Sequence, residues 1–86
     1  MRTIKKQIRE YIDFSAVCSI REAGEKFDTY LTHIKNSFKT MRASTEWNLD
    51  EATYIYEYAI RILTERYVDA LLSLDRFRRR NYQFFI

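Results

Sequence analysis

Apolar residues return every three or four positions along most of this chain, and three stretches keep that rhythm long enough to predict helices. In the first, about residues 2–13, Ile4, Ile8, Tyr11 and Ile12 share one side of a 3.6-residue period, while Arg2, Lys5, Lys6 and Arg9 share the other. A second helix is predicted over about 20–42. Ser19 followed three residues later by Glu22 is the pattern that satisfies free amides at a helix start, and Ala23, Phe27, Leu31, Ile34, Phe38 and Met41 form the stripe behind it. Its Gly24 lies at the edge of the stripe and reads as a close helix crossing.

Asn48 and Glu51 repeat the capping pattern before the third run, about 49–79, whose stripe of Leu49, Ala52, Tyr56, Ala59, Ile60, Leu63, Tyr67, Ala70, Leu71, Leu74 and Phe77 should face the second helix in an antiparallel pair. Trp47, just ahead of the cap, fits a hydrophobic staple against the first turn, and also fits a contact hot spot for a partner. A second apolar patch on this helix, Tyr54, Ile55, Tyr58 and Ile62, with Val68 and Leu72 on the back, calls for cover of its own. The first helix is the nearest candidate but is too short to cover all of it. A homodimer or another protein would take the remainder. The expected fold is therefore all-α: a small helical bundle of two long antiparallel helices and a short N-terminal one. It forms a single domain over 1–86 with a basic and aromatic C-terminal tail at 80–86.

Composition sharpens this picture in two places. The chain has no Pro and one Gly, which removes the punctuation that hairpins and long loops require. Hydrophobic residues make up 47% and aromatics 16%, more apolar surface than a lone small bundle hides, so an interface is expected. One cysteine, Cys18, allows no internal disulfide, and there is no apolar run of ~18 residues, so a cytoplasmic protein is expected, in the host cytoplasm if the source is viral.

The net charge of +3 is unevenly spread. Both ends are basic, whereas residues 48–75 carry six acids against Arg61 and Arg66. The C-terminal sequence places Arg76, Arg78, Arg79 and Arg80 beside Phe77, Tyr82, Phe84 and Phe85. With the helix ending near Arg79, cations there would meet its exposed carbonyls favourably, and the aromatic tail would either fold back over the helix pair or anchor in a partner.

Catalytic chemistry finds little support in the residues. His33 is the single histidine, placed by helical spacing on a polar face beside Lys26, Thr29 and Asn36, and it reads as solvated. Cys18 reads as a small buried hydrophobe. One Cys and one His cannot assemble a zinc site, and a chain with one Gly has no phosphate-binding glycine loop, so no metal, cofactor or enzyme activity is expected. The leading function class is a small non-enzymatic protein-binding module, such as a phage or mobile-element inhibitor of host machinery or a small subunit of a larger assembly. Its contact residues would be Trp47, Tyr54, Tyr58, Ile62, Arg76, Arg78, Arg79, Arg80, Tyr82, Phe84 and Phe85. The alternative class is nucleic-acid binding through the C-terminal arginines and the basic patch Arg2, Lys5, Lys6 and Arg9. A membrane-surface role for the first helix ranks last, because one short basic element binds only marginally.

Overall fold

The computed structural model describes residues 3–84, with side chains through Arg76. Three helices follow in chain order: α1, Ile4–Tyr11; α2, Ile20–Ala43; and α3, Leu49–Phe84. The two long helices pack against each other, and α1 lies along α3. The molecule is elongated, 61 × 24 × 17 Å with a radius of gyration of 16.4 Å.

Local chemistry explains where each helix begins. Thr3 caps α1, its hydroxyl accepting from the Lys6 amide. Ser19 caps α2 by accepting from the Glu22 amide, and the Glu22 carboxylate reaches back to the amide of Cys18, one residue earlier than the usual box. Before α3, Asn48 Oδ1 accepts from the Asp50 amide at 2.7 Å, so the side chain closes over the second helical residue and not the third.

Aromatic pairs set the register of α2 on α3. Phe27 meets Tyr67, and Phe38 meets Tyr56, each with ring centroids 4.6 Å apart. Both pairs give the same antiparallel offset, and buried alanines, Ala59 between the pairs and Ala23 and Ala52 beyond them, let the backbones approach. The core centres on Leu63 and Ile12, with Phe14, Tyr30, Tyr58 and Ile62 around them. Burying these side chains is what holds a chain of this size together, each contributing about 1.5–3 kcal/mol relative to exposure.

Four expectations change. Helix α1 is shorter than predicted, because Ile12 turns to an extended conformation and carries its side chain into the core. Helix α3 runs to Phe84 and not to about Arg79, so residues 80–84 continue the helix, and no basic residue falls in its last turn. The expected placement of the arginines in the last turn is therefore not met. Cys18 is exposed, its thiol directed to the Ala16 carbonyl, and is not a core residue. Gly24 is not a forced close crossing: a Cβ there would meet the Tyr67 hydroxyl at 3.7 Å, an ordinary contact.

The turn after α1 is built around Asp13. Its carboxylate accepts from the Ser15 amide at 2.9 Å, and its own backbone N–H and C=O both bond the Tyr30 hydroxyl at 3.0 Å. Hydrogen bonds from Ser15, with smaller help from Lys26 and Arg66, hold the Asp13 carboxyl below its ordinary value. A lowered folded-state value stabilises the fold fully above about pH 4, and that contribution is lost as pH falls through the lowered value. A carbon-detected NMR titration should place the Asp13 midpoint below the model-peptide value of about 3.9. Gly24→Ala should stabilise the protein by about 0.5–1 kcal/mol in urea denaturation, through helix propensity alone.

Candidate functional site

Helix α1 docks on α3 and stands off from α2, which leaves a groove between them. Its walls are Ile4, Gln7, Ile8 and Tyr11 on one side and His33, Ile34, Ser37, Phe38 and Met41 on the other, with Ile55, Tyr56 and Ala59 of α3 as the floor. The groove encloses about 540 Å³. Among the described residues that line it, none is Asp, Glu, Lys or Arg.

Both ends of α1 have identifiable anchors. At its C-terminal end, Arg66 Nη1 donates to the carbonyls of Arg9 and Ile12, each at 2.7 Å, satisfying two acceptors that the helix end would otherwise leave open. Nearer its N-terminus, the Lys5 ammonium lies 4.8 Å from the Tyr54 ring centre and 5.2 Å from that of Tyr58. The mouth is bridged where Tyr11 crosses to α2. Its hydroxyl hydrogen-bonds His33 Nδ1, and its ring meets Tyr30 edge-on at 5.2 Å.

This arrangement relocates several residues singled out in the sequence. Tyr58 and Ile62 are buried in the core beneath α1, so they are not available as contact surface: the patch they belong to is the seat of the first helix. Tyr54 remains 54% exposed beneath Lys5, and Trp47 is half-buried just ahead of α3. Val68 and Leu72 stay exposed on the back of α3. Lys5, Lys6 and Arg9 of the basic face of α1 are all exposed, and Lys5 also lies over the α3 tyrosines. Arg2 lies outside the described residues. Arg76 is exposed; the side chains of Arg78, Arg79, Arg80, Tyr82 and Phe84, and Phe85 as a whole, lie outside what is described.

Three residues with organising roles escaped the sequence pattern. Arg66 looked like one cation in an acidic stretch, and Phe14 lay outside any periodic run, yet it packs against Tyr30 and Tyr67. His33 is exposed as its polar neighbours imply, but it is engaged by Tyr11 and lines the groove. The pairing spans 22 positions of sequence, and no local spacing could signal it.

No protein-family model, curated protein or solved structure matches this chain. Among the described residues, no group of three or more His, Cys, Asp or Glu could hold a metal ion, and no helix is long and apolar enough to cross a membrane. What the site can do follows from shape and polarity: it can shelter an apolar body against a described lining without Asp, Glu, Lys or Arg.

The Arg66 clamp is testable. Arg66→Met should keep the helix pair folded but open α1, raising amide hydrogen exchange in residues 6–11 at least ~10-fold, because the freed carbonyls cost about 1–3 kcal/mol.

Proposed function

We propose that this protein is a small protein-binding module that docks through the C-terminal end of α3. The observation carrying this reading is the length of that helix. The aromatic register that pairs Phe27 with Tyr67 and Phe38 with Tyr56 brings the first residue of α2, Ile20, level with Leu74. Helix α3 then continues to Phe84, about 15 Å further at 1.5 Å per residue. That extension contains Arg76, Phe77, Arg78, Arg79, Arg80, Tyr82 and Phe84, and no acidic residue follows Asp75 in the chain.

A helix that outruns its packing partner normally carries polar residues around its whole circumference. This one combines four arginines with Phe77, Tyr82 and Phe84, residue types enriched where binding energy concentrates. A partner of matching chemistry is a protein groove with an apolar floor and an acidic rim, entered by one helix end. Either an inhibitor of a larger machine or a small subunit of one would use such an arm.

The test is capture of partners from lysate of the source cell or its host by the tagged full chain, in nuclease-treated and untreated halves. One protein retained in both halves at moderate salt is the expected result. A chain ending at Asp75, which keeps every described core contact, should stay helical by circular dichroism and lose that protein, at least ~10-fold in affinity, equivalent to about 1.4 kcal/mol. Enrichment that vanishes with nuclease would make nucleic acid the ligand and overturn the reading.

A further inference from the structure

The groove lies well away from the α3 arm, and its lining restricts what can enter it. In a chain whose residues are 31% charged, the described lining has no Asp, Glu, Lys or Arg. A charged ligand there would be stripped of water without gaining a counter-charge. The volume of about 540 Å³ falls within the range of about 300–1,000 Å³ typical of small-molecule sites. Length argues the same way. The α1 wall is eight residues, about 12 Å, shorter than the mean protein helix of about 11–12 residues that a helical occupant would bring.

The polar lining side chains are uncharged amides and hydroxyls together with the single imidazole of His33. Tyr11 and His33 form a hydrogen-bonded pair between α1 and α2, while Ile8, Ile34, Phe38, Ile55 and Ala59 present apolar surface. When the phenol donates to Nδ1, the imidazole proton sits on Nε2, which leaves His33 with a donor for an incoming oxygen.

We propose that the groove binds a small uncharged amphiphile, with a flat aromatic or alicyclic body against Ile34, Phe38 and Ile55 and one hydrogen-bonding oxygen directed at His33. The recognition is apolar contact over most of the ligand with one polar group fixing its orientation. This site is independent of the α3 arm and stands whether or not that arm docks a protein.

Prodan, a neutral naphthalene ketone whose emission reports polarity, is the probe for the full-length chain. Saturable one-to-one binding is expected, with a dimethylaminonaphthalene sulfonate weaker by at least ~10-fold because the described lining offers its charge no partner. Ser37→Trp, at an exposed lining position, should fill the mouth and abolish binding, and Asn36→Trp provides a second block if the first variant loses helicity. His33→Ala should weaken prodan and shift its bound emission to the blue, since the ketone loses its donor. The proposal is overturned by absence of saturable binding, by sulfonate binding as tight as the ketone, or by both tryptophan variants staying helical and binding like wild type. Release of the probe by a protein captured from lysate would make the groove a protein-docking face and overturn it equally.

Discussion

One arginine reaching two carbonyls fixes the relation of α1 to everything else. An eight-residue helix has almost no stability of its own, and the first turn of α1 has no acidic residue to favour the helix dipole. Its conformation is therefore borrowed from tertiary contacts. Arg66 takes the carbonyls of Arg9 and Ile12, Tyr30 takes the backbone of Asp13, and Ile12 enters the core beside them. With that end pinned to α3, the rest of α1 diverges from α2, and the groove is the space left by the divergence. A longer or differently anchored first helix would have closed it.

Much of this was readable from the chain because helix starts and helix faces are local properties. The Ser and Asn caps, the α2 stripe and the aromatic face of α3 follow from spacing within a few residues, and two long helices joined by a short connection have few ways to pack. What spacing cannot give is the neighbour. Tyr58 and Ile62 formed an apolar patch in the sequence, but whether α1 or a partner covered it depended on Arg66, more than fifty positions from the carbonyls it binds. His33 looked idle for the same reason, its partner Tyr11 belonging to another helix. The end of α3 was missed because a run of arginines resembles a helix terminus, while nothing in the following residues breaks a helix.

Charge and neutrality are partitioned along the long axis. The groove floor occupies Ile55 to Ala59 of α3, and the arginine cluster begins at Arg76, about 25 Å further along the same helix. Ionic strength should therefore act on the two surfaces differently, since ordinary salt screens charge interactions beyond about 8–10 Å but leaves apolar contact largely untouched. One helix thus carries both proposed surfaces, about 25 Å apart.

The elongation has a bearing on how the molecule would behave in a column. A compact chain of this length would have a radius of gyration of about 12 Å, well below the 16.4 Å found here. A rod-shaped monomer tumbles and diffuses like a heavier sphere and elutes early from a sizing matrix. An apparent mass read from elution volume would thus counterfeit a dimer, and only a shape-independent measure, such as light scattering or equilibrium sedimentation, counts the chains.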